Sequence, residues 1–396
     1  MTSVRLMDDF PPPSERLVTL ANWRTFPYTQ WSFRNVRQLL PTAPIAASGN
    51  ATPLPADPRD IGGLAFAAPS GSETTLDAAL RQTSTDALLV MRRGQLMTEW
   101  YANGMDAERL HIVFSVSKSI CGSLGGILVD RGIIDPDRPV IDIVPELKNA
   151  SAYATATLRH VLDMTVGISF VEDYLDPDGD VARYRRAMGW DPVPPGQPVT
   201  DLRSFLAGQK ADGKAHGEAF HYVSTNTDVL GWLYERATRR PLAELISEHL
   251  WKPLGAEREA CITVDAHGAM RAAGGICAAP RDLLRFAEMM HRRGVAAGRQ
   301  VVPGWWVDDI NTKGDPQAWN RGDFAPMFPG GRYRSQWYQL DHARRTLCAI
   351  GIHGQWIYID PPSETVIVRM ASEAIPLDPD SAGLWMRAFA AIARLP

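Results

Sequence analysis

The sequence predicts an α/β (α+β) protein in which an antiparallel sheet is flanked by helices and interrupted by an inserted, mostly helical lobe. Short apolar runs bounded by turn residues lie towards both ends of the chain, at 87–101 and 346–370, as is typical of strands. Between about 145 and 260 the pattern is instead helical, with long loops. The sheet is therefore expected to combine both ends of the chain, with the helical lobe in the middle.

This pattern predicts that the chain is divided into three parts. Residues 1–75 are predicted to form an ordered N-terminal arm wrapped on the body, because they contain aromatic side chains such as Trp23 that disordered tails rarely carry. Residues 76–145 and 261–396 are assigned to the α/β sheet lobe, and residues 146–260 to the helical lobe. A cleft between the lobes is the expected place for a binding site.

The individual elements are predicted from local signals. Residues 87–91 and 96–101 flank a turn at Arg93-Gly94 and predict a hairpin. Consecutive antiparallel strands are predicted at 346–351, 355–360 and 365–370. Helices or helical segments are predicted at 115–131, 157–164, 226–239, 243–251, 281–293 and 381–394. The proline- and glycine-rich stretch 171–200 is predicted to be a shaped surface loop.

Composition limits the function classes. The net charge of −4 gives no basic surface for nucleic acid or for an anionic membrane. The four cysteines, at positions 121, 261, 277 and 348, form no Cys-x-x-Cys pair and are predicted to be buried free thiols rather than disulfides or zinc ligands. No metal or nucleotide motif occurs, so no cofactor is expected.

Location and partners follow from the same evidence. No apolar run reaches the ~20 residues that span a bilayer, and the first residues lack the apolar segment of a signal peptide. A cytoplasmic location is therefore expected. The expected partner is a small-molecule ester or amide, without nucleic acid or membrane, and a homodimer is left open.

Ser115 and Lys118 form a Ser-x-x-Lys element at the start of a helix. Residues three apart share a helix face, so the hydroxyl and the amine can meet. Taken alone, the element favours a capping serine and a solvated lysine. However, residues 119–129 are apolar or small on nearly every side, which indicates a buried helix. Burial lowers the pKa of a lysine, so Lys118 can act as a base that activates Ser115 as a nucleophile.

A third candidate group lies in the helical lobe. Tyr222 precedes a predicted helix, and a phenol near a lysine can relay a proton to a leaving atom. The competing interpretation is that Tyr222 is packing, with Ser224 or Thr225 as a helix cap.

Together, these elements resemble the serine β-lactamase and DD-peptidase superfamily, the penicillin-binding-protein-like serine hydrolases. The chain is most similar to class C β-lactamases, family VIII carboxylesterases and, above all, nylon-oligomer (6-aminohexanoate-dimer) hydrolases. The resemblance extends from about residue 85 to the C-terminus. The motifs that carry it are Phe114–Ser119, 157–167, Phe220–Asp228, Val229-Leu230-Gly231, Pro253-Leu254-Gly255, Ala273–Ile276, Glu172-Asp173-Tyr174, Gly189-Trp190, Gln336-Trp337 and Ile350–Gln355.

The resemblance implies a catalytic centre. Ser115 would be the acylated nucleophile, Lys118 its base, and Tyr222 the residue that relays the proton to the leaving group. The backbone N–H groups of Ser115 and Ile352 would hold the oxyanion. No metal takes part.

It also implies a substrate cleft. Tyr174, Trp190 and Trp337 would line that cleft. Ser224 stands where the superfamily's Tyr-x-Asn element has asparagine, and Asn226, two residues later, is a candidate to supply the amide instead.

The Lys-Thr-Gly element is also altered. Aligned on Gly351 it reads Ala349-Ile350-Gly351, without the basic group that binds a β-lactam carboxylate. This argues against a β-lactamase or penicillin-binding role and suits the esterase and nylon-oligomer branches.

Three further positions bear on the substrate. Arg185 stands where linear-amide hydrolases of this group have an acidic residue for the substrate ammonium, and Ala273 stands at another polar position. A cationic wall would repel an ammonium, so esters or other amides are expected to be preferred over aminohexanoate dimer. His353 is a substrate-binding candidate and an alternative base, although a structural role is favoured.

Two other functions stay open. A D-amino-acid peptidase or amidase of the same fold would share the three catalytic residues. A non-catalytic binding or sensor protein on this fold would trap an acyl group without turning it over.

Overall fold

A computed structural model describes residues 5–396 of the chain; residues 1–4 of the predicted arm lie outside the described part. The strands are, in chain order, β1 (Thr42–Ile45), β2 (Ala65–Ala67), β3 (Glu73–Thr75), β4 (Thr85–Arg92), β5 (Gln95–Tyr101), β6 (His111–Ile112), β7 (Ala260–Thr263), β8 (Ile276–Ala278), β9 (Val295–Ala296), β10 (Arg299–Gln300), β11 (Arg332–Arg334), β12 (Trp337–Asp341), β13 (Thr346–Gly351), β14 (Gln355–Asp360) and β15 (Thr365–Ala371).

The α-helices interleave with these strands. They are α1 (Thr29–Ser32), α2 (Leu76–Gln82), α3 (Val116–Asp130), α4 (Leu158–Leu162), α5 (Asp180–Ala187), α6 (Leu202–Ala207), α7 (Ser224–Thr238), α8 (Leu242–Ile246), α9 (Lys252–Leu254), α10 (Pro280–His291), α11 (Gly304–Thr312), α12 (Pro316–Asn320) and α13 (Pro379–Ala393). A π-helical turn, Ser247–Trp251, joins α8 to α9.

A seven-stranded antiparallel sheet forms the centre of the fold, in the order β11-β12-β13-β14-β15-β4-β5. Strands from the C-terminal part therefore pair directly with the hairpin β4-β5 from the N-terminal part, Val368 lying opposite Leu89. Side chains alternate between the two faces of β14: Ile357 and Ile359 belong to one core cluster, while Trp356 and Tyr358 pack against Phe389 of α13. The predicted α/β class, with an antiparallel sheet flanked by helices, is confirmed.

Most predicted elements are found within a few residues of their predicted bounds. The three consecutive strands are β13, β14 and β15, and the predicted helix at 115–131 is α3. The stretch 171–200 differs from its prediction, because α5 lies inside it. The proline and glycine signal obscured this helix, since those residues flank the helix rather than interrupt it.

A second, four-stranded sheet has the order β1-β7-β8-β6. Its edge strand β1 comes from the first 75 residues and pairs with β7 of the body, Ile45 opposite Ala260. The side chains of Trp23 and Phe33 are almost fully buried. These N-terminal residues are thus packed into the core.

Helix α3 is buried along nearly its whole length, from Val116 to Leu128. It contacts α7 and α8 on one side and β12, β13 and β14 on the other. Gly125 permits the close approach of α7, because a Cβ there would overlap the hydroxyl of Tyr234. The first turn of α3 therefore lies between the large sheet and the helices.

None of the helices in residues 5–396 is long and apolar enough to cross a membrane.

Candidate active site

Ser115 lies directly before α3, at the wall of a cleft. The preceding residue, Phe114, has φ 42°, a left-handed backbone conformation that is uncommon outside glycine and that occurs at functional sites. Its ring is packed edge-on against Phe33, with 4.9 Å between the centroids. The bend at Phe114 leaves Ser115 only 8% exposed, with its side chain facing the cleft.

Lys118 lies one turn into α3 and is 1% exposed. Its Nζ is 2.9 Å from Ser115 Oγ, 3.0 Å from Ser224 Oγ and 2.8 Å from the carbonyl oxygen of Ala273. Burial lowers the pKa of Lys118 from 10.5 to about 7, although the nearby carboxylate of Glu172 acts in the opposite direction. A substantial fraction of Lys118 is therefore neutral near pH 7, as a general base requires.

Tyr222 lies two residues before α7, next to Ser115 and Lys118. Lys118 Nζ is 5.0 Å from the centroid of its ring. Burial and the charge of Glu172 raise the pKa of Tyr222, while interactions with the side chains of Ser115 and Tyr338 act against that rise. The phenol stays protonated near neutral pH and can donate its proton. The structure thus brings together the three residues that the sequence selected.

The backbone N–H groups of Ser115 and Ile352, the predicted oxyanion donors, both lie at the cleft. Gly351 ends β13 so close to Ser115 that a Cβ there would lie 3.1 Å from the Ser115 nitrogen and 2.7 Å from the carbonyl oxygen of Val113. Ile352 follows and lines the cleft beside Ser115. Within residues 5–396, neither the Ser115 nor the Ile352 N–H donates to another protein group. Both remain available to a substrate oxygen.

Ser224 begins α7 and connects Lys118 to a carboxylate. Its N–H donates to Glu172 Oε2 over 2.8 Å and its Oγ donates to Glu172 Oε1 over 2.5 Å. The Tyr174 hydroxyl also donates to Glu172 Oε1, over 2.8 Å. Tyr174 lines the cleft as predicted, and Ser224 lies beside Lys118, with 3.0 Å between Oγ and Nζ.

Ala273 contributes its backbone rather than its side chain. Its carbonyl accepts from Lys118, and its N–H donates to Asp228 Oδ1 over 2.9 Å. Asp228 is itself paired with Arg271 and with the hydroxyl of Tyr184. This buried network holds the Ala273 carbonyl at the lysine.

Two residues predicted to bind substrate are in the core instead. Asn226 is fully buried, and its Oδ1 accepts from the Tyr153 hydroxyl over 3.0 Å, so it supplies no amide to the site. Trp337 is also fully buried, stacked on Phe286. Because side chains alternate along β12, the next residue, Tyr338, faces the cleft.

Trp190 and His353 are likewise buried and are not among the described residues that line the cleft. The Trp190 Nε1 donates to Thr263 Oγ1 over 3.2 Å, and the cleft lining, drawn from residues 5–396, does not include it. The His353 Nδ1 lies 2.7 Å from the carbonyl oxygen of Glu373. Burial lowers the pKa of His353 to about 4, so the ring is neutral at physiological pH. The ring is not among the described residues that line the cleft, although the adjacent Ile352 is.

Arg185 does not form the expected cationic wall. Its Nε donates to Asp191 Oδ2 over 2.8 Å and its Nη1 to the carbonyl oxygen of Tyr174 over 3.2 Å. The guanidinium is thus paired with a carboxylate six residues away, which it shares with Arg24, and it is absent from the described cleft lining.

The cleft has a volume of about 450 Å³. Apolar and aromatic side chains make up much of its wall: Leu175, Phe324, Met327, Phe328, Trp356 and Leu377. The lining includes four carboxylates, Glu172, Asp173, Asp323 and Asp378, and one imidazole, His221. The His221 Nδ1 lies 2.9 Å from Asp323 Oδ2, and although burial acts against it, this carboxylate raises the pKa of His221. Among the described residues that line it there is no lysine or arginine, so the cleft disfavours anionic ligands.

No group of three His, Cys, Asp or Glu side chains that could hold a metal ion occurs in residues 5–396. The four cysteines are buried free thiols, as predicted.

The chain matches the family described as Beta-lactamase over residues 74–391. It therefore belongs to the β-lactamase family and is a hydrolase of that family, which confirms the resemblance found in its motifs.

Three named proteins are similar to this chain to different degrees. The chain is 39% identical over 363 residues to the 6-aminohexanoate-dimer hydrolase of Paenarthrobacter ureafaciens, covering 92% of this chain and 89% of the relative. A Bacillus anthracis structure, provisionally named 6-aminohexanoate-dimer hydrolase, superimposes with a TM-score of 0.88 at 26% identity, covering 96% of this chain and 98% of that one. A family VIII carboxylesterase shares the fold, with a TM-score of 0.56 at 14% identity over 80% of this chain and 95% of that one.

Two site residues had no role in the sequence interpretation. Glu172 belongs to the Glu-Asp-Tyr motif. The sequence feature that could have indicated its contact is Ser224 at the position of the asparagine, because a buried serine hydroxyl needs a hydrogen-bond acceptor. Tyr338 could be found only by knowing which face of β12 points to the cleft.

Proposed function

We propose that this protein is a serine hydrolase that forms an acyl-enzyme on Ser115 and cleaves linear amides and carboxylic esters. The observation that carries the proposal is the buried Lys118 amine 2.9 Å from Ser115 Oγ, with Tyr222 beside both. An amine whose pKa is lowered to about 7 by burial can take the serine proton near neutral pH.

The reaction follows from these positions. Lys118 accepts the proton of Ser115 as Oγ attacks the substrate carbonyl, and the N–H groups of Ser115 and Ile352 bind the developing oxyanion. Tyr222 gives its proton to the leaving nitrogen or oxygen and regains one from Lys118. Water then attacks the acyl carbon, and the same groups act in reverse to release the acid and restore Ser115.

The cleft supports neutral or cationic substrates. The expectation that aminohexanoate dimer is disfavoured depended on a cationic Arg185 in the cleft, and Arg185 is instead bound to Asp191. With four carboxylates and a single imidazole, His221, in the lining and a relative named 6-aminohexanoate-dimer hydrolase, linear amides with an ammonium-bearing chain are included in the proposal. The absence of a basic side chain at Ala349-Ile350-Gly351 continues to argue against β-lactams.

The first experiment compares p-nitrophenyl acetate and butyrate hydrolysis by the wild type and by Ser115→Ala, with intact mass measured after substrate is added. Activity that disappears with the serine, together with an acyl adduct on the wild type only, is expected. Equal rates and no adduct would leave a binding protein on a hydrolase fold.

A second experiment tests substrate charge with two matched esters. The 6-aminohexanoyl and adipoyl p-nitrophenyl esters have similar chain lengths and opposite terminal charges. The cationic ester is expected to have the higher kcat/KM, because the lining is acidic. A preference for adipoyl would contradict the proposed substrate class.

A further inference from the structure

The contacts of Lys118 define where its hydrogens point. The Ala273 carbonyl, 2.8 Å from Nζ, can only accept a hydrogen bond, so one N–H points there. The direction of the others depends on the two hydroxyl groups, Ser115 and Ser224, because a hydroxyl can donate or accept.

Glu172 removes that ambiguity for Ser224. Its Oε2 accepts the Ser224 N–H, and its Oε1 accepts the Ser224 hydroxyl over 2.5 Å. Because a carboxylate only accepts, the single hydroxyl proton of Ser224 is committed to Glu172. Ser224 Oγ can then only accept from Lys118, 3.0 Å away.

A neutral amine has two N–H bonds and one lone pair. In this geometry the two N–H bonds of Lys118 point to Ala273 and Ser224, so the lone pair is left for the third neighbour, Ser115 Oγ, at 2.9 Å. This is the orientation in which Lys118 can accept the serine proton.

We propose that Glu172 is a positioning residue that aims the lone pair of the base Lys118 at Ser115 by holding the proton of Ser224. This role rests on the proposed function, in which Lys118 is the base. The observation that assigns this role to Glu172 is that the Ser224 hydroxyl lies between the Glu172 carboxylate and the Lys118 amine.

The Glu172 carboxylate also affects the pKa of Lys118 through its charge. Glu172 and Asp228 raise the pKa of Lys118, while burial and Arg271 lower it more, and the thiol of Cys121 and the Tyr222 ring complete its surroundings. Loss of the Glu172 charge therefore removes a raising influence, and the pKa of Lys118 falls below its wild-type value.

The test measures how fast diisopropyl fluorophosphate labels Ser115, as a function of pH. This reagent phosphorylates the serine oxygen and releases fluoride, so the rate reports activation of the nucleophile independently of any natural substrate. The variants are Glu172→Gln and Ser224→Ala. The control is Glu235→Gln, which removes the same charge from a residue that also accepts a backbone N–H, at the far end of α7.

Glu172→Gln places an amide beside Ser224. The Ser224 hydroxyl proton is then no longer committed to a carboxylate and can form a hydrogen bond to the lone pair of Lys118. Labelling is expected to slow by ~10- to 100-fold, and the midpoint of its acid limb is expected to move to lower pH. Ser224→Ala is expected to slow labelling with a smaller movement of the midpoint, because the Glu172 charge remains. The double variant should be no slower than the slower single variant, because both act through one contact.

Wild-type labelling rates in Glu172→Gln, or a slower rate with an unmoved midpoint, would overturn the inference. If Glu172→Gln does not fold, a wild-type labelling rate in Ser224→Ala would overturn it. Failure of the wild type itself to be labelled would instead refute the proposed function.

Discussion

Lys118 Nζ lies over the face of the Tyr222 ring, 5.0 Å from its centroid. In the proposed mechanism the ring and the hydroxyl of Tyr222 have separable tasks. The ring covers the lysine, while the hydroxyl, whose pKa is raised by burial, serves as the proton donor.

Tyr222→Phe keeps the ring and removes the donor. Amide hydrolysis is expected to fall by ~100- to 10,000-fold, whereas p-nitrophenyl ester hydrolysis should fall less, because p-nitrophenolate leaves without being protonated. The measurement compares butyryl p-nitroanilide with p-nitrophenyl butyrate, and thermal unfolding serves as the control. Equal losses for both substrates would assign the effect to the fold rather than to proton transfer.

The pH dependence of kcat/KM should report Lys118. The base must be neutral, and burial lowers its pKa from 10.5 to about 7, so activity is expected to rise with pH through a midpoint near 7. A pH profile with p-nitrophenyl butyrate measures this midpoint. A midpoint near the ordinary lysine value would mean that Lys118 is not the group that titrates.

The variant Lys118→Met removes the amine of the proposed base and keeps the packing of α3. Turnover is expected to fall by at least ~100-fold, while the thermal unfolding temperature stays near wild type, because methionine fills similar space without a charge to desolvate. Steady-state kinetics and calorimetry measure the two effects. A mild loss of turnover would require another base.

His353→Gln tests the structural assignment of that residue. Losing the ring that packs beside Phe114 and bonds the Glu373 carbonyl is expected to lower the free energy of unfolding by ~1–3 kcal/mol. The midpoint of the activity profile should not move, because burial lowers the pKa of His353 to about 4, far from the activity limb. A shifted midpoint in the folded variant would give His353 a catalytic role.

Arg185→Gln tests whether this cation selects substrates. Its guanidinium is held by Asp191, which keeps Arg24 as a second partner, so the ratio of kcat/KM for the 6-aminohexanoyl and adipoyl esters is expected to change by less than about threefold. A large gain for the cationic ester would show that Arg185 acts on the cleft after all.

The fold was predictable because its signals are local. Apolar runs ended by turn residues define β13, β14 and β15, and the small, apolar residues after Lys118 define α3 as buried. The same locality explains why α5 was missed: proline and glycine around it have the composition of a loop.

The three residues of the proposed catalytic centre could be selected from spacing and chemistry, and the structure brings them together, but much of the cleft could not be predicted. Trp337 and Tyr338 are neighbours, and only the register of β12 decides that the second faces the cleft. Arg185 and Ser224 have the expected positions in sequence, yet their partners Asp191 and Glu172 decide what they do. Those pairings depend on how distant loops fold together, which residue types alone do not encode.

Residues of the N-terminal segment, outside the matched family region, pack behind the candidate site. Phe33 packs on Phe114 and on His353, with centroids 4.9 and 5.1 Å apart, and Trp23 donates to the carbonyl oxygen of Trp190. These contacts support the bend that presents Ser115, yet they come from residues before position 74, where the family match begins. A protein trimmed to the family boundary would lose this packing behind Ser115, the proposed nucleophile, so activity should be measured on protein that keeps the residues before position 74.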